Sequence, residues 1–459
     1  MGSYTEDSLF DVLKKYHIPV PRYTSYPTVP FWERTPTETE WKKHILSAFH
    51  KSVNKGVDLY VHLPFCESLC TYCACNTRIT KNHKLELPYL AAILKEWKMY
   101  EAILGERPSI TDIHLGGGTP TFFSPENLDC FLRDLFANAY LPEHPKFSFE
   151  AHPQNTTFRH LQILFRKGFR RISLGIQDFN TDVQKAIHRF QTVENVESVV
   201  LSARNMGYSS VNFDLVYGLP FQDLKKLRDT IQTTIKLRPD RIAFYSYAHV
   251  PWMRPGQRNY GDNDFAKGEE KMELYSVGRT MLLEQGGYKE IGMDHFALES
   301  DPLFKASEKG GLHRNFMGYT EQGNSLLLGL GVSAIGDAGD AFMQNVKNLE
   351  VYQDIVEKGS LPISKGHLHN QEDLIIRKHI LELSCNFETT IKTDDFSKSQ
   401  WKQLSLRLNQ LQQDELIELQ ESKMKITPKG KPYLRNVCMA FDLRMQSSVF
   451  KQPSFSSSV

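Results

Sequence analysis

Strand-like and helix-like segments alternate between about residue 57 and residue 250, and this alternation most constrains the fold. Six runs read as strands: DLYVHLPF, DIHLGGG, KFSFEAHP, RISLGIQ, VNFDLVYGLP and RIAFYSYAHV. Segments with helical spacing, such as LPYLAAILKEWKMYEAIL, separate them. This order predicts a parallel sheet covered by helices. Six units are fewer than the eight of a closed barrel, so we predict an α/β fold built on a partial (β/α)6 barrel.

Polar residues lie at the ends of several of these strands. They are Glu150, Gln177, Asp178, Arg189, Asp214 and His249. Any one of them alone is more often a solvated loop residue or a satisfied buried group than a ligand. Because the carboxyl ends of parallel strands meet at one edge of the sheet, together they predict a binding site at the barrel mouth.

Four of the seven cysteines fall within ten residues, in CESLCTYCAC after the first predicted strand. The net charge of +1 and an opening without a signal-peptide pattern favour a cytoplasmic protein with no nucleic-acid or membrane partner. Thiols stay reduced in that compartment, so metal binding is favoured over disulfides. Cys66, Cys70 and Cys73 fit an iron–sulfur cluster that keeps one iron open to a chelating molecule. A zinc site that adds Cys75 is the alternative, although zinc ligands usually come as two separated pairs.

A glycine run, HLGGGTPT, follows the second predicted strand and contains Gly117, Gly118 and Thr119. Glycines at a strand end let the backbone approach a ligand closely, so that its N–H and C=O groups can hold it. A phosphate-binding loop is the rival interpretation, but the Lys and Ser/Thr of that motif are missing.

The segment PRYTSYP precedes the predicted barrel and contains Arg22. It is either a rigid linker or a strip that lies across the barrel mouth. In the second case, Arg22 would pair with a carboxylate of a large substrate and the tyrosines would pack on the substrate rings.

The pattern changes after residue 300, which gives our domain boundaries. We predict an N-terminal extension covering the barrel mouth (1–50), the barrel (51–300), a connecting glycine-rich segment (301–365), a mainly helical, winged-helix-like cap (366–445) and a disordered Ser-rich tail (446–459). The glycine-punctuated stretches of the connecting segment, such as LLGLGVSAIGDAGDAF, are hard to assign to a helix or a strand.

Taken together, these motifs resemble one family. The C-x3-C-x2-C spacing is the signature of the radical S-adenosylmethionine (SAM) superfamily. PRYTSYPT, LYVHLPFCESLCTYCACN, HLGGGTPT, LGIQDFN, DLVYGLP, IGMDHFAL and GLGVSAI resemble the oxygen-independent coproporphyrinogen III oxidases. The resemblance runs from near residue 21 to near residue 441.

The resemblance implies a [4Fe–4S] cluster on Cys66, Cys70 and Cys73, with Cys75 nearby, and two bound SAM molecules. The residues that match the family's cofactor contacts are Tyr60, Tyr72, Gly117, Gly118, Thr119, Glu150, Gln177, Arg189, Asp214, Ala248 and Ile335. Tyr60 also matches a catalytic position. Met317 stands where the family's motif has Gln, in the pocket of the second SAM.

The implied reaction converts two propionates of coproporphyrinogen III to vinyls through a 5′-deoxyadenosyl radical, giving protoporphyrinogen IX for haem synthesis. The family implies a monomer and reduced flavodoxin or ferredoxin as electron donor. The rivals are a haem-binding chaperone-like relative and a haem-cleaving radical SAM enzyme. Chaperone-like relatives lack Cys75 and the RYTSYP segment, so both features favour the oxidase.

Overall fold

A computed structural model describes residues 12, 14–52, 56–252, 254–261, 263–321, 323 and 326–447. Apart from its first two residues, the tail predicted as disordered lies outside this range. The strands are β1 (Gly56–Leu63), β2 (Phe65–Cys66), β3 (Arg78–Ile79), β4 (Ser109–Gly117), β5 (Phe147–Ala151), β6 (Phe169–Gln177), β7 (Ser210–Tyr217), β8 (Arg241–Ser246), β9 (Lys289–Ile291), β10 (His295–Ala297), β11 (His313–Asn315), β12 (Gly318–Thr320), β13 (Leu327–Leu330), β14 (Ile335–Asp337), β15 (Ala341–Asn345), β16 (Ile363–Leu368), β17 (Glu388–Thr390), β18 (Ile417–Gln420) and β19 (Lys423–Ile426).

The predicted segment LPYLAAILKEWKMYEAIL forms a helix, from Glu86 to Leu104. The helices are α1 (Glu38–Lys51), α2 (Glu86–Leu104), α3 (Pro125–Phe136), α4 (Phe158–Arg166), α5 (Thr181–Ala186), α6 (Val193–Met206), α7 (Leu224–Leu237), α8 (Gly268–Thr280), α9 (Pro302–Glu308), α10 (Leu349–Glu357), α11 (Gln371–Asn386), α12 (Lys398–Gln413), α13 (Leu434–Phe441) and α14 (Leu443–Ser447). Ser124 caps α3, where its side chain accepts a hydrogen bond from the Asn127 N–H, and Pro125 occupies the first helical position.

The six predicted strands lie side by side and parallel, in the order β1-β4-β5-β6-β7-β8, with helices in the connections. The partial (β/α)6 barrel is therefore confirmed. Alternate residues of β1, such as Leu59 and Val61, are fully buried in one apolar core with Tyr89 and Trp97 of α2. The other residues of the parallel strands face the barrel interior.

Additional strands extend the sheet at both ends to a total of twelve. Strands β10 and β9 follow β8, while β13, β14, β15 and β16 continue beyond β1. The last four come from the glycine-punctuated stretch and its surroundings, which the sequence left unassigned. Close packing explains the glycines: a Cβ at Gly329 would lie 2.5 Å from Ile335 O, and one at Gly336 would lie 2.9 Å from the Trp41 ring.

The C-terminal region combines α11, α12 and α13 with a small antiparallel sheet of β17, β19 and β18. Its apolar core also takes in Val20, Tyr23 and Tyr26 from the N-terminal segment. Tyr23 and Tyr26 are each 2% exposed, and Tyr23 OH donates to the Asp442 carboxyl at 2.9 Å. The expectation that these tyrosines pack on substrate rings is therefore wrong, because they join the N-terminal segment to the C-terminal region. Within the described residues, no helix combines the length and apolar character needed to cross a bilayer.

Candidate functional site at the barrel mouth

A cavity of about 770 Å³ opens at the carboxyl ends of the parallel strands. Its lining comes from the ends of the parallel strands and from the loops that follow them, which brings residues distant in the sequence into one site. The predicted residues that line it are Arg22, Cys66, Cys70, Tyr72, Cys73, Gly117, Gly118, Thr119, Glu150, Gln177, Arg189, Asp214 and Ala248. The convergence expected of a parallel sheet is therefore present in the structure.

The cysteine loop is held at both of its ends. Cys66 ends the short strand β2, which pairs in parallel with β3, and the Cys73 N–H donates to Cys70 O at 3.1 Å to form a turn. The Cys66 thiol lies 3.3 Å from Thr119 Oγ1, next to the glycine run. On the opposite side, Arg189 Nη1 donates to Cys70 Sγ at 3.6 Å. These contacts place the thiols in a fixed loop beside the other cavity residues.

The thiols differ in how readily they ionise. Burial raises the pKa of Cys66 to about 11. A hydrogen bond from the Cys75 thiol lowers the pKa of Cys73 to about 6, aided by the positive charges of Arg189 and Arg254. Three thiols on one cavity wall, with cations beside them, are a donor set that suits an iron–sulfur cluster. In the described residues, no three His, Cys, Asp or Glu side chains lie close enough to hold a single metal ion.

The glycine run packs directly on the start of the cysteine loop. Gly117 has φ of +107°, and a Cβ there would lie 2.4 Å from the His62 ring. A Cβ on Gly118 would lie 2.6 Å from the Pro64 carbonyl carbon. The Gly118 N–H donates to Leu63 O at 2.8 Å. Only glycine therefore allows this approach, which leaves the backbone of residues 117 and 118 on the cavity wall.

Two carboxylates stand on neighbouring parts of the cavity wall. Glu150 accepts a hydrogen bond from the Gly117 N–H at 3.0 Å and lies 3.4 Å from His114 Nε2. Burial raises the pKa of Glu150, but the hydrogen bonds with the His114 side chain and the Gly117 N–H outweigh burial and lower the pKa overall. Asp214 accepts from Ser173 Oγ at 3.0 Å and from the Asn212 side chain at 2.9 Å. Burial and the negative charge of Glu150 raise the pKa of Asp214.

Arg189 spans the distance between β6 and the cysteine loop. Its Nε donates to Gly175 O at 2.8 Å, while its Nη1 reaches Cys70. A Cβ on Gly175 would lie 2.7 Å from Arg189 Nη2, so a glycine is needed beside the guanidinium. Gln177, at the end of β6, has φ of +67°. A backbone in this uncommon conformation is typical of residues that a site holds in place.

Asp178 and His249, which also follow strands, do not line the cavity. Asp178 is fully buried and accepts hydrogen bonds from Gln222 at 2.6 Å and Thr230 at 2.8 Å. These hydrogen bonds join the end of β6 to α7 and to the loop before it, so Asp178 has a structural role.

The model of the radical SAM superfamily matches residues 60–234. The oxygen-independent coproporphyrinogen III oxidase of Pseudomonas aeruginosa is 38% identical over 448 residues, covering 95% of this chain and 96% of the relative. The chain belongs to the oxygen-independent coproporphyrinogen III oxidase family. The Escherichia coli K12 member is 34% identical over 446 residues, with 96% of both chains covered.

A solved structure supports the same assignment to the coproporphyrinogen III oxidase family. Coproporphyrinogen III oxidase (HemN) from Escherichia coli, described as a radical SAM enzyme, superposes with a TM-score of 0.85 at 33% identity. The match covers 92% of this chain and 97% of that one. The family resemblance read from the sequence is therefore confirmed, and so is the fold.

Two of the residues matched to the family's cofactor contacts, Tyr60 and Ile335, do not line the main cavity. The Tyr60 hydroxyl lies 3.0 Å from His62 Nδ1, and its ring stacks on His114. Ile335 pairs with Gln344 between β14 and β15. Their roles at the site therefore stay predictions.

A second, smaller cavity of about 260 Å³ lies inside the barrel. It shares Glu150, Ser173, Asp214 and Tyr245 with the main cavity, and Met317 lines it. The sequence reading missed Ser173 and Tyr245. Strand alternation was the available signal, because Ser173 precedes Gly175 by two residues and therefore faces the same side of β6.

Proposed function

We propose that this chain catalyses the oxygen-independent oxidation of coproporphyrinogen III, in which two propionates become vinyls, two CO2 leave and protoporphyrinogen IX forms. One observation carries the proposal: the cysteine loop, the glycine run and the strand-end acids line a single cavity. Relatives that match nearly the whole chain are named oxygen-independent coproporphyrinogen III oxidases, which supports this activity. Cys75 and the RYTSYP segment favour this activity over the haem-binding alternative.

In this proposal, Cys66, Cys70 and Cys73 hold a [4Fe–4S] cluster, and the site binds SAM beside it. When bound, these groups supply a 5′-deoxyadenosyl radical that removes a hydrogen from the propionate β-carbon. The chain positions its thiols for this task through β2, the Thr119 hydroxyl and Arg189. Cys75, an exposed neighbour, donates to Cys73 and is not assigned as a ligand.

The remaining cavity residues orient SAM. The backbone at Gly117 and Gly118 is close enough to the cysteine loop to hold the methionine amino group. Arg189 presents its guanidinium to the methionine carboxylate. Glu150 and Asp214 supply acceptors for an ammonium and for ribose hydroxyls.

Other cavity residues shape the wall around the cofactor. Tyr72, Gln177 and Ala248 lie on it, and Tyr72 is held near Gln257 of the loop after β8. Tyr60, Ile335 and a second SAM molecule remain part of the proposal only through the family resemblance.

We propose reduced flavodoxin or ferredoxin as the electron donor. Glu67, Ser68 and Leu69 of the cysteine loop are exposed, which supports access by a protein donor. A monomer and a cytoplasmic location stay predictions.

Anaerobic turnover tests the function. The cluster is reconstituted, dithionite, SAM and coproporphyrinogen III are added, and the oxidised porphyrins are separated by chromatography. We expect protoporphyrin together with 5′-deoxyadenosine. Cys70→Ser should abolish both products, whereas Cys130→Ser, at an exposed cysteine on α3, should retain them. 5′-Deoxyadenosine without protoporphyrin would contradict the assigned substrate.

A further inference from the structure

Three large apolar side chains are exposed at the rim of the main cavity. Leu69 is 48% exposed, Ile79 is 41% exposed and Phe190 is 52% exposed. They come from three separate segments of the chain, and all three line the cavity. Single exposed apolar residues are normal on a protein surface, but a group of them at one place indicates a binding surface.

Each member of this group is connected to a cysteine of the cysteine loop. Leu69 directly precedes Cys70 in the chain. Ile79 pairs with Cys66 where β3 lies beside β2. Phe190 follows the arginine whose Nη1 donates to Cys70 Sγ at 3.6 Å. The apolar group therefore lies on the outer side of the segments that carry the thiols.

Positively charged side chains lie beside the apolar group. Lys81 is exposed at the cavity rim, just after β3. The loop after β8 adds two arginines. Arg254 donates to Ala74 O, and Arg258 Nε donates to Pro251 O at 3.2 Å. Both acceptors are main-chain carbonyls, which carry no net charge to offset the arginines.

The loop after β8 packs directly on the cysteine loop. A Cβ at Gly256 would lie 3.5 Å from Thr71 Cα and 3.8 Å from Leu69 Cδ2. The Tyr260 hydroxyl lies 2.9 Å from Thr71 Oγ1. Residues 254–258 therefore form one continuous surface with the cysteine loop. We call this surface the cysteine-loop face, which consists of Leu69, Ile79, Lys81, Phe190, Arg254 and Arg258.

The cysteine-loop face has a net positive charge. The cysteine loop carries one acid, Glu67, which is exposed and offsets one of the three cations. Arg78 lies next to the face in β3, but Glu350 balances its charge at 3.3 Å. A positive surface with an apolar centre favours a partner whose own surface is acidic around an apolar group.

We propose that the cysteine-loop face docks an acidic one-electron carrier protein of the flavodoxin type, which reduces the cluster. The proposal rests on the proposed function, which needs an electron for the reductive cleavage of each SAM. In the transfer, the reduced flavin of the carrier loses one electron and the cluster gains it, and no bond forms or breaks. A flavin presents an apolar dimethylbenzene edge, which matches the apolar centre of the face.

The position of the face suits electron transfer. A carrier docked there lies against the segments that hold the thiols, so it comes close to the cluster without entering the cavity that SAM and the tetrapyrrole need. Weak electron-transfer complexes bury less than about 1,200 Å² in total. A patch of a few side chains on each partner is therefore enough.

Binding and cluster reduction test the face without using the tetrapyrrole. Cluster-loaded full-length protein is titrated with oxidised flavodoxin by isothermal calorimetry. It is also mixed anaerobically with photoreduced flavodoxin, and the reduced cluster is measured by EPR spectroscopy of rapidly frozen samples. Arg258→Glu and Lys81→Glu should each raise the Kd about 3- to 10-fold, because charge reversal replaces attraction by repulsion. Cluster reduction at low flavodoxin concentration should slow by a similar factor.

Salt separates the charged part of the face from its apolar part. At 1 M salt the Debye length is about 3 Å, so the effect of both charge reversals should nearly vanish. Ile79→Ser removes an apolar contact that salt does not screen. It should raise the Kd about 5-fold at low and at high salt.

Two control variants match these changes. Arg133→Glu makes the same change of charge at an exposed arginine in the last turn of α3. That end of the helix points away from the barrel mouth, because α3 runs from the carboxyl end of β4 back toward the start of β5. Leu406→Ser changes a leucine on α12 that is 62% exposed. Both controls should bind flavodoxin like wild type.

Several results would overturn the docking face. Wild-type protein that binds no flavodoxin, or that binds a ferredoxin instead, would contradict the assigned partner. Equal Kd values for wild type, both charge reversals and Ile79→Ser would show that the face is not used. Slower cluster reduction by dithionite in these variants would show damage to the cysteine loop, and weaker binding of coproporphyrinogen III with unchanged flavodoxin binding would assign the face to the substrate. Protein that takes electrons from flavodoxin through this face but forms no protoporphyrin would support the docking face and contradict the proposed function.

Discussion

Gly118→Ala should disturb the junction between the glycine run and the cysteine loop. A Cβ at residue 118 would lie 2.6 Å from the Pro64 carbonyl carbon and 2.8 Å from Leu63 O, where ordinary contacts begin at 3.4 Å. The two segments must therefore separate by about 0.8 Å, the difference between 3.4 and 2.6 Å. Both obstructing groups are backbone atoms, which cannot rotate away as a side chain would.

Crowding of this kind costs about 1–3 kcal/mol. Separating the segments weakens the two hydrogen bonds that join them. One runs from the Gly118 N–H to Leu63 O and the other from the Thr119 N–H to Phe65 O. We therefore expect SAM to bind about 5- to 150-fold more weakly to cluster-loaded Gly118→Ala, as measured by anaerobic equilibrium dialysis. The control is Gly311→Ala, whose new Cβ would meet no atom closer than 3.7 Å. Equal SAM affinity in wild type and both variants would refute the assigned role of the glycine run.

Two further predictions concern stability. Tyr23→Phe should lower the free energy of unfolding by about 1–3 kcal/mol, because it removes the hydrogen bond to the buried Asp442 carboxyl. Unfolding in urea measures this, and an unchanged urea midpoint would contradict the prediction. Burial raises the pKa of Glu96 from 4.5 to about 7, so the folded state keeps a proton that the unfolded state has released. Stability should therefore fall by up to about 3 kcal/mol as pH rises from about 4.5 to 7, and level off above that. Glu96→Gln should remove this part of the profile, and parallel profiles for both proteins would count against it.

Local patterns in the sequence were sufficient for the barrel and most of its site. Each of the six parallel strands has strong β-type composition, and Glu150, Gln177 and Asp214 lie within the strands themselves. Glu150 and Asp214 could be placed at the mouth because parallel strands end at one edge. The three cysteines could be recognised as one group of ligands from the sequence alone, because all of them lie in one short loop.

Contacts between residues that are distant in the sequence could not be predicted from such local patterns. Strands β13 to β16 are short, and the need for a glycine at 329 and 336 becomes visible only when Ile335 and Trp41 are in place. Tyr23 has its partner Asp442 at the other end of the chain, so nothing near it in the sequence distinguished a core residue from a substrate contact.

The central claim is that this cavity brings SAM against a propionate of the tetrapyrrole. Coproporphyrinogen III deuterated at the β-carbons of its propionates tests this directly, when the 5′-deoxyadenosine formed in anaerobic turnover is examined by mass spectrometry. The account predicts deuterium in 5′-deoxyadenosine and protoporphyrin formed in step with it. Unlabelled 5′-deoxyadenosine alongside protoporphyrin would show that hydrogen is removed elsewhere, and would contradict the account.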